Sequence, residues 1–467
     1  ADIPISFYYA LNNLAEKLLD DDNDNKESIL SNTTLEFRPG LFLNAILQGQ
    51  SLILKDLSNL PTIVLERFNE LFSGKQNITL SEDIHNTFTP PDFKELTNFN
   101  DQFRVFATCP ANSPSRLSEA VLSRFTVISV PEYSLNEQEV VLKSYIQLKK
   151  LQFELDDIEK LSKFANTCST ELKIPISFPQ IIKIVEIISK INQENSKFNH
   201  DVDMDFQKFN IGITLYRVLG GTLESKKKKK LLFNQIKSSF DIPEFYQHKK
   251  ADECQLAIAT KNDILGVYSN ISNLFLKCSL ASECQTKVAF TGSFNDLLDL
   301  LHLGLTIHNP IILEGPPGQG KHTAINYLAN MLNINVVNIM ISQSTKVEDL
   351  FGKDVISRQK DGIHVEMVET QFVKIIKSAE DFDKRSLIIL ENINNSSPAL
   401  LSALVPVFDS NSSSILLPNG STIEKGKFDI IGIFNTQQSY SSKDKFPSSL
   451  INSSIYHIVS KSNEKEI

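Results

Sequence analysis

Ile311-Ile-Leu-Glu-Gly-Pro-Pro-Gly-Gln-Gly-Lys-His-Thr323 is a short apolar run, a glycine-rich turn and a lysine ahead of a helix-prone segment. That order reads as a phosphate-binding loop. Glycines let backbone N–H groups curl around phosphate oxygens, and Lys321 brings positive charge to the terminal phosphates. The N-terminus of the following helix favours an anion. The candidate nucleotide contacts are Gly315, Pro316, Pro317, Gly318, Gln319, Gly320, Lys321, His322 and Thr323. In such loops the lysine is followed by Ser or Thr, whose hydroxyl holds Mg²⁺. Here His322 takes that place and Thr323 comes one residue late. The loop therefore signals ATP or ADP binding, a weakened Mg²⁺ site and poor hydrolysis.

Working outward, 467 residues predict three or four structural units, and 41% apolar with 22% charged residues is an ordinary globular mix. A net charge of −9 argues against a dedicated nucleic-acid surface. Cys109, Cys168, Cys254, Cys278 and Cys284 form no CxxC pair and have no His-rich neighbourhood. They read as reduced thiols of an intracellular protein, nuclear or cytoplasmic, rather than as a zinc or disulfide framework. No apolar run reaches the roughly 18–20 residues of a membrane span, and no signal peptide opens the chain. The first residue is Ala, which fits an excerpt or a processed product.

The spacing of Leu11, Leu14, Leu18 and Leu19 predicts a helix that runs into the acidic loop Asp20-Asp-Asp-Asn-Asp24. Strands are predicted at Ser51-Leu-Ile-Leu54, Phe103-Arg-Val-Phe-Ala-Thr108 and Phe125-Thr-Val-Ile-Ser-Val130, with a helix at 61–72. Strands alternating with helices predict an α/β fold with a parallel sheet covered on both faces. Residues 1–130 are thus a partial core without its own phosphate loop. From 131 to 245 the periodicity is helical throughout and predicts a small all-α domain. Residues 246–289 read as a helical connector, and 290–467 as a second αβ core carrying the loop. The five lysines Lys226–Lys230 read either as a solvated helix face or loop, or as a patch for an acidic partner.

The chain repeats itself at long range. The block from Ser51 through Lys55 and Asp56 to Phe72 matches Ser386 to Asp409, with Lys55 opposite Glu391 and Asp56 opposite Asn392. The Phe103–Pro110 stretch matches Phe428–Asn435, and Leu117–Phe125 matches Phe446–Ser454. Three blocks in the same order mark two copies of one unit.

With these blocks, the Thr345-Lys-Val-Glu-Asp-Leu-Phe-Gly352 segment and the phosphate loop, the chain resembles the AAA+ ATPases of the midasin- and dynein-related branch. The resemblance covers most of both cores. It implies P-loop AAA+ cores with an all-α lid over 131–245, and a second core whose own lid is missing. It implies neighbouring AAA+ modules of the same giant chain as partners, and a protein substrate or assembly factor as the load. The midasin side of the family implies a mechanoenzyme acting on pre-ribosomes in ribosome biogenesis.

The resemblance also assigns roles. A Walker B Asp orients Mg²⁺, an adjacent Glu polarises the attacking water, a sensor Asn positions it, and an Arg finger comes from the next module. In the first core Lys55 replaces the Asp, Asp56 the Glu and Pro110 the sensor, while Ser453 falls where the finger reaching that site should be. In the second core Glu391 replaces the Asp and becomes, with Thr323, the candidate metal ligand. Asn392 replaces the polarising Glu, and Asn435 stands as the sensor. An amide is no general base, and losing one slows such a step by roughly 10²–10⁴. Arg124 is a candidate finger toward a preceding module, or else a cap on the following strand. Lys183, in Ser177-Phe-Pro-Gln-Ile-Ile-Lys183, is either a sensor 2 contact to phosphate or an exposed helix lysine.

These substitutions predict a nucleotide-binding, hydrolysis-deficient segment of a multi-module ring. Two other readings stay open. One is an active ATPase motor in which Asp56 or Glu391 does the acid–base work. The other is a purely structural scaffold, as in degenerate modules of dynein or of AAA-type ubiquitin ligases.

Overall fold

The computed structural model of the chain describes, with short gaps, residues 45–55, 103–109, 117–198, 204–240, 256–278, 288–377, 386–436 and 447–459, together with Leu57 and Leu65. The expected helix before residue 31, the one at 61–72 apart from Leu65, the acidic run 20–24, Asp56 and Pro110 lie outside the described residues. The chain divides into two compact units. One takes 1–132 with 351–370 and 416–421, and the other the remainder.

In the first unit β1 (Ser51–Leu54) pairs in parallel with β2 (Arg104–Ala107). The short α1 (Glu119–Leu122) starts at Ser118, whose hydroxyl accepts from the Val121 N–H. Leu57, Leu65, Leu117 and Val121 form a small core beside them. The third predicted strand, 125–130, is not one. Val127, Ile128 and Val130 are 71–84% exposed, with no ladder partner. β-Branched residues favour extended backbone, but a strand forms only against a neighbour that takes up its hydrogen bonds.

The second unit begins with five helices: α2 (Leu135–Lys149), α3 (Asp156–Thr170), α4 (Phe178–Phe198), α5 (Met204–Gly220) and α6 (Lys226–Phe240). A capping box sets the start of α2. Ser134 Oγ accepts from the Glu137 N–H, and the Glu137 carboxylate accepts from the Ser134 N–H. In α3 the buried face is Ile158, Leu161, Phe164, Ala165 and Cys168, a helical stripe. The α4 stretch Ile181, Ile184, Val185, Ile187, Ile188 and Ile191 is buried nearly all round.

Residues expected to form a helical connector instead form three antiparallel strands, β3 (Leu256–Lys261), β4 (Ile264–Ser269) and β5 (Phe275–Lys277). The sequence signal is the alternation of larger Leu256, Ile258 and Thr260 with Ala257 and Ala259, followed by Asn262-Asp263, a pair that suits a two-residue hairpin link.

Then follow α7 (Gly292–Thr306), β6 (Ile311–Gly315), α8 (Lys321–Leu332), β7 (Asn335–Met340) and α9 (Val347–Phe351). The hairpin of β8 (Lys353–Gln359) and β9 (Gly362–Val368) comes next. The chain continues with α10 (Gln371–Lys377), β10 (Ser386–Glu391), α11 (Pro398–Phe408), β11 (Ser414–Leu416) and β12 (Thr422–Glu424). It closes with β13 (Asp429–Asn435), α12 (Ser448–Ser453) and β14 (Ile455–Ile458). The main sheet runs β14-β6-β13-β10-β7, all parallel. The buried, near-continuous apolar runs of β6, β10 and β13 are what a parallel sheet covered on both faces requires. This is the α/β P-loop core expected from the sequence. The order also fixes the site: β6 lies between β13 and β14, and the crevice at the carboxyl ends of such strands is where α/β sheets bind ligands.

Candidate nucleotide site

The loop after β6 turns on Gly318 and Gly320, at φ +79° and +73°. Both angles lie in the left-handed region that favours glycine. A Cβ on Gly318 would meet nothing within 4 Å, so the turn faces open space that a ligand could fill. Gly320 caps α8 through its backbone, with no side-chain cap, which leaves the first N–H groups of α8 for an anion. Lys321 is buried at 3% exposure, and its ammonium donates to the Gly315 and Pro316 carbonyls, both at 2.7 Å. Burial pulls its pKa down to about 8. An ammonium answered by carbonyl dipoles is ready to exchange them for phosphate oxygens.

The register brings the other candidates to the same edge. Asn435 ends β13 opposite Gly315 of β6, and Glu391 ends β10. Asn435 Nδ2 donates to Asn392 Oδ1 at 2.7 Å, and Asn394 Nδ2 reaches the Asn435 carbonyl at 3.5 Å. Asn392 sits at φ 56°, ψ 40°, a left-handed conformation that Asn tolerates better than most residues. The position where the resemblance expects a polarising Glu is therefore held by an amide, bonded to the Asn435 amide expected as the sensor. Neither group is a base.

His322 faces Glu391, with Nδ1 3.8 Å from Oε1. Thr323, one residue on, is turned about 100° around the helix and is exposed. The structure thus brings His322, not Thr323, to the expected metal position. An imidazole nitrogen is a poor ligand for Mg²⁺, which takes oxygens. Among the described residues no group of three His, Cys, Asp or Glu side chains could hold a metal ion. The residues fit the phosphates of a nucleotide well, and Mg²⁺ through Glu391 alone.

Other expected site residues lie elsewhere. Lys55 is exposed at the end of β1. Arg124 Nη1 donates to the Ala120 carbonyl one turn back. The Ser453 hydroxyl donates to the Leu450 carbonyl at 3.1 Å. Lys183 is not an exposed helix lysine. It is 6% exposed, its ammonium makes no hydrogen bond, and Glu186, Lys190 and Asp409 are the charges around it. Burial, the largest influence, pulls its pKa down to about 7.

Sequence reasoning missed how the preceding helices seat on this core. Arg217 of α5 is buried and bonds Asp299 of α7 at 2.8 Å and the Asp296 carbonyl at 2.9 Å. Burial opposes its charge, but Asp299 and Asp296 outweigh that, and it titrates above its ordinary value. Asp299 also accepts from the Ser269 hydroxyl. The Ile458 N–H donates to the Gly221 carbonyl at 2.8 Å. A Cβ on Gly221 would stand 2.6 Å from the Arg217 carbonyl and 2.7 Å from that of Tyr456, so only glycine allows this approach. The available signal was a lone arginine in the apolar run Ile211–Leu219.

Residues 310–451 match the family model described as AAA domain (dynein-related subfamily). The chain is 23% identical over 464 residues to midasin of Giardia intestinalis, covering 91% of this chain and 9% of that protein. It is 22% identical over 406 residues to midasin of Dictyostelium discoideum, covering 82% and 6%. It therefore spans less than a tenth of the length of these curated relatives. A solved structure of a putative ATPase from Cytophaga hutchinsonii is 17% identical, covering 37% of this chain and 46% of its own, with a TM-score of 0.25. Among the described residues no helix is long and apolar enough to cross a membrane.

Proposed function

The chain belongs to the midasin- and dynein-related AAA+ proteins, and on that premise we propose that its second core binds ATP or ADP and turns it over little or not at all. The observation that carries this is the Asn435–Asn392 amide pair where a water-polarising carboxylate is needed, beside a phosphate loop whose Lys321 is intact. Nucleotide would then serve as a brace or a switch, biasing the angle between core and helices.

In this reading residues 1–130 form a degenerate first core, 131–245 its lid, and 290–467 the second core. Arg124 is its candidate finger toward a preceding module. Partners are neighbouring AAA+ modules in one ring, and the load is an assembly factor on a pre-ribosomal particle, in the nucleus or cytoplasm. The test is equilibrium ATP binding together with phosphate release, in the wild-type chain and in Lys321→Ala. Saturable binding lost on substitution, with negligible phosphate release, supports the proposal. Phosphate release that falls in Lys321→Ala would instead favour a working motor using Glu391. Absence of binding would favour a structural scaffold.

A further inference from the structure

Two side chains beside the phosphate loop form a donor pair unlike the all-oxygen set expected there. His322, at the second position of α8, and Glu391, at the end of β10, bring an imidazole nitrogen and a carboxylate oxygen to 3.8 Å. The imidazole is 44% exposed and the carboxylate 19%, so a solute can reach both. Each stands where the resemblance expects an oxygen ligand, a hydroxyl after Lys321 and an Asp at the strand end. Nδ1 lies one bond further from its backbone than a Ser or Thr hydroxyl oxygen. A Glu carboxylate likewise lies one bond further out than that of Asp. Either change alone would spoil one arm of a Mg²⁺ site. Together they make a matched pair of longer arms, one ending in nitrogen and one in oxygen.

The spacing suits a shared cation. Imidazole nitrogen and carboxylate oxygen bind a divalent ion such as Zn²⁺ at about 2.0–2.2 Å, which sets two adjacent ligands about 3.0–3.5 Å apart. The observed 3.8 Å closes to that range with a small turn of the half-exposed imidazole. Donor chemistry then decides which cation. Mg²⁺ demands oxygen ligands in near-ideal octahedral geometry. Imidazole suits the later first-row ions, and affinity for a mixed nitrogen and oxygen site rises from Mn²⁺ through Co²⁺ to Ni²⁺.

Two protein donors do not make a self-sufficient metal centre. Among the described residues no third His, Cys, Asp or Glu side chain joins them. The nearby Asn392 Oδ1 already accepts from Asn435 Nδ2. The remaining ligands must be phosphate oxygens and water, so this pair holds a cation only together with the nucleotide.

We propose that the second core takes its nucleotide with a divalent first-row transition ion in preference to Mg²⁺, ligated by His322 Nδ1 and the Glu391 carboxylate. The inference rests on the nucleotide-binding reading above. It goes further in naming the class of cation and the residue that selects it.

The test is isothermal titration of the 467-residue chain with ATP in excess Mg²⁺, in excess Co²⁺ and in EDTA. Wild type should bind Co²⁺·ATP at least about tenfold more tightly than Mg²⁺·ATP, since even a group that only supports a metal ligand carries about 10- to 100-fold in affinity. His322→Thr, which restores the hydroxyl, should cancel or invert that preference. Glu391→Gln should weaken Co²⁺·ATP without weakening ATP in EDTA, and it decides the matter should His322→Thr fail to fold. Visible absorption of Co²⁺ gives a second readout. With ATP present, wild type should shift the Co²⁺ band as nitrogen ligation does, and His322→Thr should not. Equal or tighter binding of Mg²⁺·ATP by wild type, or a Co²⁺ preference that survives His322→Thr, overturns the cation assignment and leaves the nucleotide reading standing. Failure of wild type to bind ATP in all three media overturns the nucleotide reading itself, and this inference with it.

Discussion

The pair β1–β2 and the pair β10–β13 are the same structure in two settings. Ser51 pairs with Arg104 as Leu387 pairs with Asp429, so aligning Lys55 with Glu391 and Pro110 with Asn435 gives one shared register. Equivalent residues meet different fates. Ile53 is 64% and Phe106 59% exposed, whereas their counterparts Ile389 and Ile431 are buried at 0% and 1%. The second sheet has β6 and β7 as flanking strands and helices α7 and α8 in its core cluster. Among the described residues the first sheet has neither flanking strand. Local pattern makes the strand pair, and the neighbours make the core.

The sharpest way to break this comparison is to rebuild chemistry in one copy only. Restoring Asn392→Glu with His322→Thr should raise phosphate release by roughly 10²–10⁴, whereas Lys55→Asp in the first copy should raise nothing. A malachite-green assay reads both. No gain in the second copy would mean that its register alone does not define a catalytic site.

Next in size are the buried strands. Ile389→Ala should cost about 2–5 kcal/mol, and Ile53→Ala less than about 0.5 kcal/mol, both from urea unfolding. Comparable losses would show that Ile53 is covered in solution.

Lys321→Ala should weaken ATP binding by about 10- to 150-fold, the span of a hydrogen bond from a charged group. Lys55→Ala should change it not at all. Fluorescent-analogue titration separates the two, and an effect of Lys55 would dissolve the asymmetry between the copies.

The last comparison concerns Lys183, whose effect is spread over several pH units. Its native pKa, about 7, lies below the ordinary 10.5 that the unfolded chain retains. Between those values the unfolded state holds a proton that the native state has shed. Stability therefore rises with pH across that window, by up to about 1.4 kcal/mol per pH unit. Lys183→Met should remove this contribution, which chemical unfolding at pH 7, 8.5 and 10 would detect. Glu186 and Lys190 on the same helix, Asp409 after α11 and Lys425 nearby are further ionisable groups of this cluster, so the comparison must be with wild type at each pH.

Much of this could be read before any fold was known. The 311–323 loop, its missing Mg²⁺ hydroxyl at His322, the amide at Asn392 and the two-copy repeat are local facts, because glycine conformations, strand runs and block order are written residue by residue. The failures were equally physical. The 125–130 stretch had strand-forming residues but no partner, and 246–289 was taken as helical where β3, β4 and β5 form. Short apolar runs carry too little periodicity to separate the two periods.

Sequence by itself determined the phosphate loop, the resemblance to dynein-related AAA domains and which residue types stand at the expected site positions, since each depends on identity at a fixed spacing. Tertiary structure alone decided that Lys183 is buried, that His322 rather than Thr323 meets Glu391, and that Arg217 is clamped by Asp296 and Asp299. It alone decided that Lys229, of five identical neighbours, faces a cavity beside the loop. Those outcomes depend on which residues distant in the chain come within a few ångströms, and desolvation and pairing act only once that has happened.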